Sequence, residues 1–364
     1  MMLLLAGITI ATAGVISAAG TIVAMKLARK WGFIDLPTPD RFHKTPTPLL
    51  GGVAIFAGIV IPTIVVVILA AIWNATAAPA WLDDSIKIHI PGVLYRLPLV
   101  VIILVGGLLL CIIGLIDDKK PLGPWLKLAG QLFVAAGVVL IGKIRLLELA
   151  GEPISTIATI LWLVLITNAI NFMDNMDGLA AGVVVICSAA LLASAAAAGQ
   201  LFVAGWLCLI LGASIGFLPF NFPPAKIFMG DAGSLPLGFM LGIASVLTTY
   251  YHGGPSGVYY SIFVPVVAMA IPIYDTVSVV MLRIIRGKNP MVGDRRHFSH
   301  RLVRLGMTPR KALFTIYLAT ATTAAGAALL PRVDKIGAIM IFAQTVAVVL
   351  IIALLESSAI GSRL

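Results

Sequence analysis

Residues 97–120 read LPLVVIILVGGLLLCIIGLIDDKK, a run of twenty uncharged residues that ends in two aspartates and two lysines. An α-helix needs about 20 apolar residues to cross the hydrocarbon core of a bilayer. The stretch therefore predicts a membrane-spanning helix whose charged end lies at a membrane surface. Carboxylates at such a position are costly and are typical of functional sites, so Asp117 and Asp118 are candidate functional residues. The alternative is an ordinary helix end exposed to solvent.

The whole chain is unusually apolar. Of its 364 residues, 60% are hydrophobic and 11% are charged, and the mean hydropathy is +1.08, whereas soluble domains carry about 45–50% apolar residues. We therefore predict an all-α polytopic membrane protein in a single integral membrane domain, 1–364. Pro265, Pro272 and Asp275 predict that the ninth span is kinked or broken. The eleven predicted spans lie near 3–25, 49–73, 97–116, 126–142, 154–171, 178–198, 201–220, 234–250, 258–285, 312–330 and 336–355.

The positive charges predict the orientation. Lys26, Arg29 and Lys30 follow the first apolar run and no basic residue precedes it, which indicates an uncleaved first span with the N-terminus outside. The C-terminus and the odd-numbered connections, with the span ends beside them, are then cytoplasmic and carry 19 of the 25 Lys and Arg residues. This asymmetry accounts for the net charge of +10, so we expect the lipid bilayer and anionic substrates as partners, and no nucleic acid.

Five polar stretches fall on the predicted cytoplasmic side. Their convergence on one surface predicts a single pocket for magnesium-dependent chemistry on a diphosphate, with one substrate arriving from the bilayer. The stretches are DRFHKTPTPLLGG (40–52), DDKKPLGPWLK (117–127), NFMDNMDG (171–178), NFPPAKIFMGDAGS (221–234) and RIIRGKNPMVGDRRHFSHRL (283–302).

Around the third stretch, Asn168, Asn171, Asp174 and Asp177 step by three residues. If the fifth span continues that far, the four side chains share one helix face. There they can bind a nucleobase or a sugar by hydrogen bonds, or hold Mg²⁺ through oxygen atoms. The alternative is ordinary capping of a helix end at the membrane interface.

Two further stretches carry side chains that suit a nucleotide diphosphate. Asp231 is a candidate ligand of Mg²⁺, and Phe228 offers a surface for stacking. His297 and His300 lie in a strongly basic loop with Arg295, a combination that suits the binding of a diphosphate. The alternatives are an ordinary turn around Asp231 and a positively charged membrane anchor around the histidines.

Taken in order, these motifs resemble those of the polyprenyl-phosphate N-acetylhexosamine-1-phosphate transferases, a family related to phospho-N-acetylmuramoyl-pentapeptide transferase. The branch that uses undecaprenyl phosphate and UDP-N-acetylglucosamine is the most similar. The matching pieces include RFHKTPTPLLGG (41–52), GLIDDKKPLG (114–123), NAINFMDNMDGLAAG (168–182) and GDRRHFSHRL (293–302).

The resemblance implies an activity and a location. A sugar-1-phosphate, most often N-acetylglucosamine-1-phosphate, passes from a UDP-sugar to undecaprenyl phosphate, and UMP is released. Mg²⁺ is the implied cofactor, with Mn²⁺ as an alternative. The implied location is the bacterial inner membrane, with the active site on the cytoplasmic face, at the first membrane step of a cell-envelope polysaccharide.

The resemblance also assigns roles to single residues. Asp117 and Asp118 match the catalytic aspartate pair linked to the lipid phosphate, and Lys127 matches a basic residue near that phosphate. Asp231 matches the catalytic magnesium ligand, with Asp177 as a second metal ligand. The implied substrate-binding positions are Asn171, Asp174, Asp177, Asn221, Phe228, Lys127, His43, Lys44, Arg295, His297 and His300.

Two positions depart from the pattern of that family. Ser299 stands where the first of two adjacent histidines is common, and Asn175 stands where glycine is common in the turn. Asparagine tolerates the left-handed backbone conformation that a glycine would take, so we expect the turn to survive.

The expected mechanism is direct attack of the lipid phosphate on the sugar-bearing phosphorus, with Asp117 or Asp118 accepting its proton. A two-step route through a phospho-aspartate, an ion- or proton-coupled transporter, and an intramembrane prenyltransferase are the alternatives. A transporter needs polar residues with access to both membrane faces, whereas this chain concentrates them on one. The sequence leaves open the N-acetylated sugar, the polyprenyl length, the pathway and whether the protein forms a homodimer.

Overall fold

The computed structural model describes residues 2–37, 45–146, 151–248, 259–285, 287 and 297–361. These residues are almost entirely helical, as predicted, apart from a short antiparallel ribbon of β1 (Ile34–Asp35) and β2 (Thr47–Pro48). The helices are α1 Met2–Trp31, α2 Gly51–Thr76, α3 Asp84–Lys87, α4 Ile90–Tyr95, α5 Leu97–Lys119, α6 Pro124–Gly142, α7 Glu152–Met173, α8 Leu179–Ala197, α9 Leu201–Asn221, α10 Asp231–Leu247, α11 Val264–Ala268, α12 Ala270–Ile285, α13 Phe298–Arg304, α14 Pro309–Leu329 and α15 Lys335–Gly361.

Nine helices of the described ranges are long and apolar enough to cross a membrane, namely α1, α2, α5 to α9, α14 and α15. The segments Tyr260–Ala268 and Ala270–Ile285, which contain α11 and α12, are bent by 68° at their junction. They add a tenth span if the two together form one broken segment. Pro272 explains the bend, since it has no N–H to donate to the carbonyl of Ala268 four residues earlier. The predicted break of the ninth span is therefore confirmed.

The eighth predicted span, 234–250, has a different character. It corresponds to α10, which has 17 residues and is about 26 Å long, short of the roughly 30 Å of a bilayer core. Every residue from Ala232 to Val246 is buried, because α2, α5, α7 and α9 pack around this helix. A fully buried apolar helix gives the same sequence signal as a span, so the count of eleven and the orientation remain predictions.

The chain that leads into α10 is held by backbone pairing with the start of α2. The N–H of Phe228 donates to the carbonyl of Pro48 at 2.8 Å, and Gly51 and Gly52 donate to the carbonyls of Phe228 and Met229 at 3.0 and 2.9 Å. These bonds fix the first turn of α10 at one end of the bundle, where α5 and α7 end and α6 begins.

Candidate active site

The N-terminus of α10 is capped by a side chain from another helix. The Asp118 carboxylate, at the end of α5, accepts the backbone N–H groups of Asp231 at 2.9 Å and Ala232 at 3.1 Å. The first N–H groups of a helix have no partner within the helix, and its positive end attracts a carboxylate. Asp118 thus joins α5 to α10 and uses both carboxylate oxygens to do so.

Gly230 makes this approach possible. Its φ is +69°, and a Cβ at this position would lie 2.5 Å from Oδ2 of Asp118. Glycine is the residue that adopts positive φ without steric cost and leaves this space open. The glycine before the aspartate in the MGDAGS stretch therefore serves the contact between α5 and α10.

The Asp231 carboxylate is held by two further helices. Asn171 of α7 donates its Nδ2 to Oδ1 of Asp231 at 2.7 Å and to Oγ of Ser234 at 2.8 Å. Lys127, in the first turn of α6, donates its Nζ to Oδ2 of Asp231 and lies 3.6 Å from Oδ2 of Asp117. One ammonium group is therefore shared by two carboxylates, and the three side chains are about one-fifth exposed.

A buried amide pair lies one turn deeper between the same two helices. The side chains of Gln131 in α6 and Asn168 in α7 hydrogen-bond each other in both directions. Gln131 follows Lys127 by four residues and Asn168 precedes Asn171 by three, so each lies on the same helix face as its partner in the site. The pair therefore fixes the spacing of α6 and α7 beneath Lys127 and Asn171, and no sequence pattern predicts this role of Gln131.

Asp174 and Asp177 lie beyond the end of α7, because the helix stops at Met173. The expectation that they continue the helix face of the two asparagines is therefore wrong. Asp174 accepts the backbone N–H of Gly230, but desolvation and the nearby Asp118 carboxylate raise the pKa of Asp174 well above its ordinary value. The Asp177 carboxylate accepts the N–H of Ala225 at 2.9 Å. Both aspartates thus bind the loop that leads into α10.

Asn221 is a buried clamp between the same loop and the turn after α7. Its Oδ1 accepts the N–H of Gly178 at 3.0 Å, and its Nδ2 donates to the carbonyl of Ile227 at 2.9 Å. Its side chain is 1% exposed and bonds to backbone, so its role in substrate binding stays a prediction. Phe228 is half-buried in the same loop.

In the turn after α7, the residue with the left-handed backbone conformation is Gly178 and not, as expected from the sequence, Asn175. Gly178 has φ +76°, whereas the non-glycine residues with positive φ in the described chain are Ala77 and Lys143. Asn175 therefore does not take the left-handed conformation that its place in the sequence suggested. The structural role of Asn175 therefore depends on the hydrogen bonds of its side chain and not on its backbone conformation.

A cleft of about 450 Å³ opens beside this turn. Asp177, Met176, Arg310, Thr308 and three prolines line it. The Arg310 guanidinium donates to the carbonyl of Pro223 at 2.9 Å, which brings the start of α14 to the site. The sequence analysis did not include Arg310 among the site residues. Its position in the basic connection 286–311, just before the tenth predicted span, is the feature that could have indicated it.

The histidine motif is anchored by Asp275, which sequence reasoning did not assign to the site. Asp275 is fully buried in α12, and its carboxylate contacts Nδ1 of His297 at 2.9 Å, the N–H of Phe298 at 2.6 Å and the Arg301 guanidinium at 3.8 Å. Because a carboxylate accepts, Nδ1 of His297 donates. His297 is 7% exposed, and its bond to Asp275 holds the start of α13. His300 is half-buried.

Three predicted site residues lie outside the described residues, namely His43, Lys44 and Arg295. Their roles stay predictions.

The donor set is compatible with a magnesium ion that is bound together with a phosphate substrate. Mg²⁺ takes one or two carboxylates and fills its other positions with phosphate oxygens and water, so it needs no larger protein cluster. In the described ranges, no three His, Cys, Asp or Glu side chains form a metal-binding group. The ammonium of Lys127 between Asp117 and Asp231 marks a point where the protein already attracts a cation.

Known proteins match this chain, including the segment that carries Asp117, Lys127, Asn171 and Asp231. The profile of glycosyl transferase family 4 matches residues 100–249. The chain is 32% identical over 308 residues to the probable undecaprenyl-phosphate N-acetylglucosaminyl 1-phosphate transferase of Bacillus subtilis. This alignment covers 82% of this chain and 77% of the relative.

Two other relatives have related names. The decaprenyl-phosphate N-acetylglucosaminephosphotransferase of Mycolicibacterium smegmatis is 31% identical over 369 residues, covering 94% of this chain and 86% of the relative. The undecaprenyl-phosphate alpha-N-acetylglucosaminyl 1-phosphate transferase of Escherichia coli is 28% identical over 319 residues, covering 83% and 77%.

Proposed function

The chain belongs to the polyprenyl-phosphate N-acetylglucosamine-1-phosphate transferases of glycosyl transferase family 4, and from this premise we propose its reaction. It transfers N-acetylglucosamine-1-phosphate from UDP-N-acetylglucosamine to undecaprenyl phosphate and releases UMP. The observation that carries the proposal is the arrangement of Asp117, Lys127 and Asp231 at the N-terminus of α10. An ammonium, two carboxylates and a helix N-terminus are suited to binding and transferring phosphate groups.

The two adjacent aspartates have different tasks in this proposal. Asp118 positions Asp231, because both of its oxygens accept backbone N–H groups of α10. Asp117 has its Oδ2 directed to Lys127 and accepts the proton of the lipid phosphate. An oxygen of that phosphate attacks the sugar-bearing phosphorus, the bond from this phosphorus to the oxygen of UMP breaks, and UMP leaves with the bonding electrons. Lys127 stabilises the negative charge on the phosphates by its position.

Magnesium binding is part of the proposal and is supported by the types of donor present. Asp231 is the principal protein ligand, and Asp177 is the second ligand expected from the sequence. When bound, Mg²⁺ neutralises the diphosphate and polarises its phosphorus–oxygen bonds. Substitution of Asp231 or Asp177 by asparagine should raise the magnesium concentration needed for half-maximal activity, with Asp334→Asn as an exposed control.

We further propose that the site lies at the cytoplasmic face of a bacterial inner membrane. The excess of Lys and Arg in the connections on that side supports this orientation. Cysteine-accessibility labelling of Lys226→Cys and Lys87→Cys in intact cells tests it, because only the second position should react with a membrane-impermeant reagent.

The decisive experiment uses the purified full-length protein in detergent. Release of UMP that requires UDP-N-acetylglucosamine, undecaprenyl phosphate and Mg²⁺ together supports the proposal. A panel of UDP-sugars then identifies the donor, and a sugar-phosphate label on the protein without lipid acceptor would show the two-step route. Substrate counterflow in vesicles without UMP release would instead identify a transporter.

A further inference from the structure

We propose that Asn175 and Ser299 form a positioning pair that couples α13 to the acidic turn 174–178 and thereby sets the affinity for the nucleotide donor. The proposal rests on the proposed function above. Ser299 donates its Oγ hydrogen to Oδ1 of Asn175, and Asn175 donates its Nδ2 to the carbonyl of Phe172. The side chain of Asn175 thus connects the end of α7 to a helix that begins more than a hundred residues later.

The α13 side of this bridge is held firmly. Ser299 is 1% exposed, and the two residues before it, His297 and Phe298, are both bound by the buried carboxylate of Asp275. Ser299 therefore offers its hydroxyl from a fixed point of the fold.

The other side of the bridge is the turn that carries both acidic residues. Asn175 lies between Asp174, which accepts the N–H of Gly230, and Asp177, which accepts the N–H of Ala225. Both bonds go to the loop that leads into α10 and Asp231. A shift of Asn175 would therefore move the two aspartates relative to that loop.

Ring contacts support the same junction. The ring of Phe172, whose carbonyl Asn175 binds, lies edge-on to His297 at 5.2 Å between centroids. The Arg283 guanidinium lies 5.9 Å from the centroid of the same ring. The turn and the start of α13 thus meet over a packed surface, and the Asn175–Ser299 bond fixes their register.

The backbone of the turn does not explain the asparagine, because Asn175 is not among the residues with positive φ. Its hydrogen bonds remain as the physical reason for an amide here. Loss of either partner leaves a poorly exposed polar group without its hydrogen bond, so the two substitutions should not be additive.

The test is a double-mutant cycle in the full-length protein with Asn175→Ala, Ser299→Ala and the combined variant. We expect each single change to raise the KM for UDP-N-acetylglucosamine about 5- to 10-fold, the size of one hydrogen bond, and leave the KM for undecaprenyl phosphate unchanged. The combined variant should be no worse than either single one. Hydrogen exchange of the amides in 172–178 should rise equally in all three.

Ser188→Ala is the matched control, because Ser188 is fully buried and donates to Val184 within its own helix. It should alter neither the donor KM nor exchange in the turn. Additive effects of the two substitutions, or unchanged exchange in Ser299→Ala, would overturn the pair. A wild-type protein that releases no UMP would instead refute the proposed function and with it the donor-affinity claim, while exchange in the turn would still decide the coupling of α13 to it.

Discussion

The N–H of Asp231 donates to the carboxylate of Asp118 at 2.9 Å, across 113 positions of the sequence. This bond gives Asp118 a different environment from Asp117, its neighbour in the chain. Asp118 faces the start of α10, whereas Asp117 faces Lys127 and accepts the N–H of Leu122 at 2.8 Å. Adjacent residues on a helix point about 100° apart, which is why two neighbouring aspartates can serve two purposes.

The first prediction separates these two roles. Asp117→Asn keeps an oxygen for the N–H of Leu122 and loses the negative charge, so kcat should fall by about 100-fold or more while the melting temperature is unchanged. Asp118→Ala removes the cap of α10 and should cost about 0.5–2 kcal/mol of stability in addition to activity. Steady-state kinetics and thermal unfolding measure both, and a fully active Asp117→Asn variant would exclude that residue as the base.

The second prediction concerns Gly230. An alanine at this position would place its Cβ 2.5 Å from Oδ2 of Asp118 at a φ of +69°, so Gly230→Ala should reduce kcat at least tenfold and cost about 1–3 kcal/mol of stability. Gly137→Ala is the control, since a Cβ there meets nothing within 4 Å and the residue lies inside α6. Equal activity of the two variants would show that the close approach of Asp118 is unimportant.

Hydrophobic runs and charge placement predicted the helices and the convergence of Asp117, Lys127, Asn171 and Asp231 from the sequence. Both signals are local. Each run is long enough to form a helix, and the polar groups at its end must lie at the membrane surface or within the protein, because they are costly in contact with lipid. The same local signals do not distinguish a membrane span from a buried helix at α10, because burial by protein and burial by lipid select the same apolar residues.

The contacts that organise the site could not be predicted, because they join distant parts of the chain. The sequence predicts no site role for Asp275, yet this residue holds the start of α13 through His297 and Phe298. The sequence predicts a backbone role for Asn175 in the turn, yet its side chain makes the contact to Ser299. Neither hydrogen bond leaves a periodic pattern in the sequence.

The third prediction follows from the raised pKa of Asp174. An acid whose pKa is raised by folding binds its proton more tightly in the native state, so its contribution to stability is present at low pH and lost as the pH rises through the raised pKa. Asp174→Asn cannot lose a proton and keeps an oxygen for Gly230. The melting temperature of this variant should therefore rise relative to wild type as the pH increases above the ordinary value of 3.8.

Thermal unfolding of the two proteins in detergent over a series of pH values measures this difference. Asp83→Asn is a suitable control, because Asp83 is fully exposed and the folding of the protein lowers its pKa rather than raising it. A constant difference between Asp174→Asn and wild type at all pH values would mean that Asp174 titrates normally.

The fourth prediction uses Lys127 to test the magnesium site without an activity assay. Lys127→Met leaves the carboxylates of Asp117 and Asp231 facing each other without the ammonium they share, so stability at pH 7 should fall by about 1–3 kcal/mol, less than for a fully buried pair because the groups are partly exposed. A cation that binds the folded state raises its stability. Added Mg²⁺ should therefore raise the melting temperature of Lys127→Met more than that of wild type or of the exposed control Lys335→Met. If Mg²⁺ shifted all three proteins equally, the carboxylates around Lys127 would not be the place where the ion binds.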